Sequence, residues 1–444
     1  MRHKDLTLIN FTYQEKEKFV PVGCLYIISW LKKYGFTVDF RNFQLFDASN
    51  PFNKTNLVLF FRDTSDIIGI SCMTSSLPEA IWVCKQVKKD NPKKTIILGG
   101  PGPSLVAKEI IDNFSFIDIV VIGCGEHTLA ELLEALKTKK RIDEIKGIAY
   151  RDGSNTILTS ARPTPSRIES MLTDFEAVDL GKYEKLFLFS GRGCSYNCSF
   201  CSIKSLYPGY VPRDIADIER EFDYILKNKN GVRKISLQDE AFLVNKSRFL
   251  ELCRMVKAKK IKRKVRLGCL VRVDLLDKES MLVLADSGFS DIYFGAESGS
   301  NKVLRLINKG ITVSMAKKTI VDSKKYFSTV LASFIWGFPF EEVSDFIETC
   351  LFMQYLVLQK IAVDLHFLGP LPGTKLYSLY KDKLRFSDNF ISDLAWRVTR
   401  YPDIKALIVN HPDVFPYFFH YHHESLEDKY KIFKKIYNLS KAGI

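Results

Sequence analysis

Cysteine is scarce here: ten residues spread over 444 are too few for a disulfide-stapled scaffold. Long apolar runs are missing as well. Val20 to Leu31 spans twelve residues, well short of the roughly 20 that a membrane-crossing helix needs. The start, Met1-Arg2-His3-Lys4-Asp5, has no apolar region with a cleavage site behind it. No secretory signal is therefore expected, and the chain is expected to stay in the cytoplasm. No low-complexity tract and no short-period repeat interrupts it. Acidic residues are outnumbered, with 65 Lys and Arg against 51 Asp and Glu, for a net charge of +14. That balance permits a nucleic acid, an anionic membrane face or a phosphorylated substrate without selecting one. What is present is ordinary for a folded protein: 46% hydrophobic and 26% charged residues. At roughly 100–200 residues per domain, the length suggests about two to four domains.

The hydrophobic pattern divides the chain. Over residues 1–140, short apolar runs alternate with helical periodicity. Leu6–Ile9, Thr37–Phe40, Asp66–Ser71, Thr95–Leu98 and Ile117–Ile122 read as strands. Gly23–Tyr34, Pro78–Asp90, Lys108–Asn113 and Glu126–Lys137 read as helices. Strands separated by helices predict a Rossmann-like, doubly wound parallel sheet with its ligand beyond the C-terminal strand ends. Residues 141–184 read as a connector, with a YRDGSN turn between two β-like runs. Residues 185–380 resume the α/β alternation, with strands at Leu186–Ser190, Lys234–Leu237, Arg266–Leu270, Asp291–Gly295 and Leu331–Trp336. Helices fall at 214–228, 245–260, 277–287, 300–308, 313–326 and 342–358. This predicts a partial (βα)6 barrel with its chemistry at the strand ends. Residues 381–444 are expected to form a small, mostly helical C-terminal cap.

The strongest chemical signal is Cys194-x3-Cys198-x2-Cys201 in GRGCSYNCSFCS, directly after an apolar strand. Three thiolates within eight residues can wrap one face of a 4Fe–4S cubane and leave one iron open to a chelating ligand. A structural zinc site would need a fourth Cys or His, and none lies nearby. Three unrelated core cysteines are the remaining alternative.

The motif resembles that of the radical S-adenosylmethionine superfamily, including Phe200 before the third cysteine. The resemblance implies that the open iron binds the amino and carboxylate groups of S-adenosylmethionine. One electron then cleaves the cofactor to a 5′-deoxyadenosyl radical. Ser236-Leu237-Gln238-Asp239-Glu240 lies where the family carries a polar strand end, which makes Asp239 and Glu240 candidates for the methionine ammonium. Arg272, in LVRVD, is the counterpart of a family arginine that approaches the methionine carboxylate. Gly295-Ala296-Glu297-Ser298-Gly299-Ser300, followed by Lys309-Gly310-Ile311-Thr312, is similar to the family's GxESGS…KG.T stretch. There Glu297 and Ser298 are expected to face the cofactor. Gly337-Phe338-Pro339-Phe340-Glu341 is expected near the adenine. Pro370-Leu371-Pro372-Gly373-Thr374 resembles a later P.PGT.LY segment.

The first 140 residues resemble a cobalamin-binding domain. The pattern is a loop with Ser71, Met73 and Thr74, then 25 residues from Met73 to the pair Gly99-Gly100. Small residues let a nucleotide tail approach the backbone, and Ser71 or Thr74 can hydrogen-bond it. Gly123-Cys124-Gly125-Glu126 repeats the theme, so Gly123, Gly125 and Glu126 are further candidates. The family form has Glu where Cys124 stands. Corrinoid domains that ligate cobalt from below use Asp-x-His-x-x-Gly. Here Lys18–Gly23 holds no histidine, and His3 and His127 are the only ones in the first 140 residues.

Taken together, the resemblance implies a cobalamin-dependent radical enzyme with three cofactors: a 4Fe–4S cluster, S-adenosylmethionine and cobalamin. The implied activity is C-methylation of an unactivated carbon. One S-adenosylmethionine methylates cob(I)alamin, and a second generates the radical that activates the substrate. A non-methylating cyclisation, ring contraction or hydration is the alternative, and a non-catalytic cobalamin- or RNA-binding module is a third. Implied partners are a small-molecule or peptide substrate and an electron donor such as flavodoxin or ferredoxin. Nucleic acid is not expected, because the basic run Lys257–Arg266 has no interleaved aromatics and reads as a solvated helix end. His411, His420, His422 and His423 lie among Phe and Tyr and read as an aromatic core or pocket wall rather than a metal site. Cys24, Cys72, Cys84, Cys253, Cys269 and Cys350 read as packed thiols.

Overall fold

The computed structural model describes residues 4–12, 18–47, 50–169, 172–228, 231–261, 265–392, 395 and 400–441. Lys262 to Lys264 of the basic run, and His3, lie outside the described residues. The chain divides into two compact units. The first comprises Met1–Cys194, Ile203–Asp239 and Leu394–Phe415, and the second Ser195–Ser202, Glu240–Asp393 and Pro416–Ile444. Among the described residues, no helix is long and apolar enough to cross a membrane.

In the first unit, β1 (Leu6–Asn10), β2 (Val38–Asn42), β3 (Ile67–Ser71), β4 (Thr95–Gly99) and β5 (Ile119–Val121) form a parallel sheet in the order β2-β1-β3-β4-β5. Its central strands are buried on both faces, which is why they read as continuous Ile, Leu and Val runs. The order reverses direction at β1. The crevice beyond the C-terminal ends of β1 and β3 is therefore the expected ligand position in such a sheet. Two strands from the expected connector, β6 (Ile148–Asp152) and β7 (Asn155–Leu158), form a hairpin that pairs antiparallel with β5 and extends the sheet to seven strands. The YRDGSN turn was legible as a hairpin signal. Its pairing with β5 was not, because register to a distant strand leaves no local mark.

The same unit contains β8 (Lys185–Leu188), β9 (Gly191–Arg192), β10 (Val211–Pro212) and β11 (Lys234–Leu237). β8 and β11 pair in parallel, and β9 and β10 antiparallel. Behind them a buried charge network fastens the chain. Arg213 makes a two-pronged ion pair with Glu221 at 2.8 and 3.0 Å and donates to the Phe189 carbonyl at 2.8 Å. Glu221 also accepts from the Thr173 amide at 2.9 Å and the Thr173 hydroxyl at 2.6 Å. The helix Pro402–Asn410 belongs to this unit. It is held by a Lys54–Asp403 ion pair and by Tyr401 donating to Asn50 at 2.9 Å.

In the second unit, β12 (Arg266–Val271), β13 (Phe289–Glu297), β14 (Thr329–Trp336) and β15 (Ala362–Phe367) are consecutive parallel neighbours. β14 shows how the sheet is sided. Val330, Ala332, Phe334 and Trp336 are buried, whereas Thr329, Leu331, Ser333 and Ile335 are only half-buried. The buried set packs under the helix Val343–Leu358, with Phe334 edge-on to Phe352 at 5.3 Å and Trp336 against Phe346 at 5.3 Å. The opposite face keeps partial exposure. The sequence reading missed β15, because Asp364 and His366 interrupt its apolar pattern. C-terminal to it come the helices Lys375–Tyr380 and Leu426–Lys441, and a two-stranded antiparallel pair, Leu384–Arg385 with His420–Tyr421.

Arg213→Met should destabilise the protein by about 3–5 kcal/mol, because Glu221 would keep a buried charge without its cation. The double variant Arg213→Met/Glu221→Leu should recover part of that loss. Urea unfolding of both proteins measures the difference.

Candidate active site

Three strand-end loops of the first unit lie against one another. After β3, the chain runs through Ser71–Thr74; after β4, it turns at Gly100 with φ 92°. A Cβ on Gly100 would lie 2.9 Å from both the Cys72 carbonyl and Ser71 Oγ, and one on Gly102 2.8 Å from Met73 C and Thr74 N. Only glycine permits that approach. The Cys72 amide donates to the Gly99 carbonyl at 3.1 Å, and the Gly102 amide to the Cys72 carbonyl at 3.1 Å. Ser104 bridges onward, donating to Gly100 O at 2.8 Å and accepting from the Gly123 amide at 3.0 Å. The glycines expected to admit a ligand's tail thus first admit the neighbouring loop. Ser71, Thr74, Gly99, Gly100, Gly123 and Gly125 remain half-exposed and Met73 is exposed. The switch-point position and this polar, small-residue rim fit a corrinoid tail.

Glu126 sits in the first turn of the helix Gly125–Thr138, but its carboxylate is taken by Arg192 of β9 at 2.5 Å. The same guanidinium donates to Cys124 Sγ at 3.6 Å and lies 5.1 Å over the Tyr26 ring. Burial opposes ionisation of Glu126, and Arg192 overrides it to hold the carboxyl below its usual range. The pair anchors the strand two residues before Cys194. Gly193 follows with φ 80°, and a Cβ there would lie 2.1 Å from the Gly209 carbonyl. Asp239 is buried too, accepting from the Ser190 amide at 2.6 Å and from the Ser190 hydroxyl. In this structure it braces the approach to the cysteine loop.

Cys198 and Cys201 belong to the second unit and Cys194 to the first, and all ten cysteines carry thiols. The three loop cysteines are half-buried. Arg272, just past β12, holds the loop. Its Nη1 donates to Cys198 Sγ at 3.7 Å, and its guanidinium covers the Tyr196 ring at 3.5 Å. Nε and Nη2 grip Asp274 at 3.0 and 3.1 Å, and Nη2 also donates to the Lys309 carbonyl at 2.7 Å. Burial disfavours the charge on Arg272, but Asp274 and the Cys198 sulfur beside it outweigh that and keep it firmly protonated. Phe200 lies edge-on to Phe338 at 5.9 Å. Among the described residues, no three His, Cys, Asp or Glu converge as ligands of a single ion. A cubane does not ask for that, since each thiolate binds a different iron. Half-buried thiols with a cation donating to sulfur fit such a cluster.

Glu297 has φ 63°, in the left-handed region that non-glycine residues seldom enter. The register of β13 on β14 shifts between Gly295 and Glu297, and such a bulge re-aims a side chain. Glu297 folds back over Gly295, where a Cβ would lie 2.5 Å from its Oε1, and pairs with Lys309 at 2.6 Å. Lys309, Asp274 and Tyr196 therefore join the site as residues that the sequence reading did not assign. Lys309 stood in the quoted KG.T stretch, but nothing local revealed its partner. Ser298 is buried and shares a 3.1 Å hydrogen bond with Thr349, so its hydroxyl braces the turn. Glu240 is half-exposed at the start of its segment. Gly337 has φ 91°, and its amide donates to Glu341 at 2.8 Å, closing the Gly337–Glu341 turn. Lys429 of the C-terminal helix clamps that turn through the Glu341 carbonyl at 2.6 Å and carboxylate at 3.2 Å.

The lesser features fall into place. His420 is buried against Phe390 at 5.1 Å, and desolvation pushes its pKa down to about 4. His411 packs on Phe114 in the first unit. Cys24 and Cys253 are buried, and burial pushes each thiol up to about 12, as inert core residues require. From the basic run, Lys257 pairs with Asp286 at 2.5 Å and Arg266 with Asp291 at 2.7 Å.

Two family models match the chain: a B12 binding domain over residues 16–133 and the Radical SAM superfamily over residues 188–353. A protein of Pyrococcus horikoshii named as an uncharacterized methyltransferase is 27% identical over 340 residues, covering 75% of this chain and 72% of that one. The anaerobic magnesium-protoporphyrin IX monomethyl ester cyclase of Cereibacter sphaeroides is 26% identical over 392 residues, covering 84% of this chain but only 63% of its own length. Among solved structures, the radical S-adenosylmethionine methyltransferase TsrM from Kitasatospora setae, with cobalamin and a [4Fe-4S] cluster bound, superposes with a TM-score of 0.70. It is 16% identical and covers 85% of this chain and 78% of that one. The cobalamin-dependent S-adenosylmethionine radical enzyme OxsB gives a TM-score of 0.65 at 20% identity, over 82% of this chain and 53% of its own. At these identities the structural likeness is one of fold.

Arg272→Met should lower iron and sulfide retention after anaerobic reconstitution by about tenfold or more, with Arg272→Lys intermediate, since partners of metal ligands carry that much affinity. Chemical iron and sulfide analysis of the desalted proteins measures it.

Proposed function

Because this chain is a member of the radical S-adenosylmethionine superfamily that carries a cobalamin-binding domain, we propose that it transfers a methyl group to an unactivated carbon of its substrate. When bound, the 4Fe–4S cluster supplies the electron that cleaves S-adenosylmethionine, and the corrinoid carries the methyl group. The protein's own residues do the positioning. Cys194, Cys198 and Cys201 would hold three irons and leave the fourth for the amino and carboxylate groups of S-adenosylmethionine. Arg272 orients Cys198 through its 3.7 Å contact. Glu297, held by Lys309 at 2.6 Å, would present its carboxylate to the polar end of the cofactor. The Gly337–Glu341 turn, with Phe338 against Phe200, would receive the adenine. Ser71, Met73, Thr74 and the glycines Gly99, Gly100, Gly123 and Gly125 would line the corrinoid side. A flavodoxin or ferredoxin in the cytoplasm would deliver the electron.

One observation carries the methyl reading over its rivals. Residues 18–23 hold no histidine, and His127 is turned toward Trp30 at 4.2 Å and Glu169 at 3.5 Å. Neither residues 18–23 nor His127, so engaged, would supply an imidazole to a bound cobalamin, and a cobalt without that donor would give up a methyl group more readily as a radical. The similarity to the anaerobic cyclase, over 84% of this chain, favours the second reading, a ring-forming reaction without methyl transfer.

Anaerobic incubation with reductant, cobalamin and S-adenosylmethionine, followed by mass spectrometry, separates the two. Methyl transfer predicts S-adenosylhomocysteine, about one equivalent per bound cobalamin before any substrate is added. 5′-Deoxyadenosine without S-adenosylhomocysteine would support ring formation instead. Cys201→Ala should abolish 5′-deoxyadenosine by at least about a hundredfold, because a missing cluster ligand removes the electron source.

A further inference from the structure

The partly exposed face of the second unit's sheet carries polar residues with no place in the cofactor assignments above. Strand alternation puts Leu331, Ser333 and Ile335 on that face. The ladder pairs Gly295 and Asp364 with Ser333, Tyr293 with Leu331, and His366 with Ile335, so all share it. They are half-buried, whereas Ala332, Phe334 and Trp336 on the other side are covered by a helix. On β14 the partial exposure alternates strictly with burial, and partial exposure on one face of a parallel strand marks room for a ligand, since a filled barrel buries its inward residues.

We propose that Asp364, oriented by Tyr293, receives a protonated amine of the substrate on this face, with Leu331 and Ile335 contacting the adjoining apolar part. The proposal deepens the reading above, because it rests on this face being where substrate meets the radical. Tyr293 donates its hydroxyl to Asp364 Oδ2 at 2.9 Å. Burial, followed by the Asp364 carboxylate, raises the phenol's pKa, so Tyr293 stays a neutral donor. It therefore fixes the orientation of the Asp364 carboxyl group. The next carboxylate on the face, Glu297, already has its cation in Lys309. Among the described residues, Asp364 is met by the Tyr293 hydroxyl and by no lysine, arginine or histidine. Ser333, beside it in register, supplies a further acceptor for an N–H. An ammonium matches this set, whereas a carboxylate or phosphate would face repulsion. The preference would also run against the overall charge of +14, which by itself attracts anions.

The test uses three probes with one chain length and different heads: octylamine, octanoate and octanol. Binding to the full chain is measured by calorimetry, both without cofactors and after loading with cluster, cobalamin and unreduced S-adenosylmethionine. Octylamine should bind about tenfold more tightly than either other probe in both states. Asp364→Asn should reduce it to the octanol level, and Asp364→Glu should keep the preference. Tyr293→Phe, which removes only the orienting hydroxyl, should weaken octylamine severalfold and leave octanol unchanged. It serves as the test if Asp364→Asn fails to fold by circular dichroism. Octanoate or octanol binding as well as octylamine would overturn the proposal. So would an amine preference that survives Asp364→Asn, or one that disappears once S-adenosylmethionine is bound, which would assign the face to the cofactor. A chain that prefers the amine yet cleaves no S-adenosylmethionine would sink the radical reading alone.

Discussion

A single guanidinium holds the second unit's chemistry together. Arg272 reaches the sulfur of Cys198, the ring of Tyr196, the carboxylate of Asp274 and the carbonyl of Lys309. A planar cation with five donors can serve three loops at once, which an ammonium cannot. Because it is buried, each contact acts in low dielectric, and losing one leaves a costly unpaired group. The cysteine loop, the end of β12 and the turn carrying Lys309 are therefore fixed as one piece.

Strand ends recur as the place where this chain accepts strain. Gly100, Gly193 and Gly337 take left-handed backbone conformations, and so does the non-glycine Glu297. At each, the gain is close approach. Gly100 lets two loops of the corrinoid-type sheet touch, Gly193 lets the cysteine loop pass a carbonyl, and Glu297 swings its carboxylate back over Gly295. Backbone distortion of this kind persists where the surrounding contacts over-determine it, as Ser104 does beside Gly100 and Lys309 at Glu297.

Much of the architecture was readable beforehand. Buried parallel strands announce themselves as apolar runs between helical periods, and the cysteine spacing is local, so both survive in one dimension. The hydrogen-bond partners of individual polar residues did not. Asp239 and Glu126 were expected to contact cofactor, yet Ser190 and Arg192 engage them. Ser298, expected to face the same way, shares a hydrogen bond with Thr349. Each partner is 49 to 66 residues away in the chain, too far for any spacing rule to reveal. β15 escaped notice for a related reason: the half-buried Asp364 and His366 break its hydrophobic pattern.

The amino-acid sequence by itself determined the order of the two α/β regions, the strand-end position of the three cysteines and the glycine-rich turns, because these depend on neighbours along the chain. Only the tertiary structure decided which cation meets which carboxylate, which strand face stays partly exposed and which hydroxyls are spent on bracing. Those outcomes depend on register and burial, and both arise when distant segments compete for the same desolvated space.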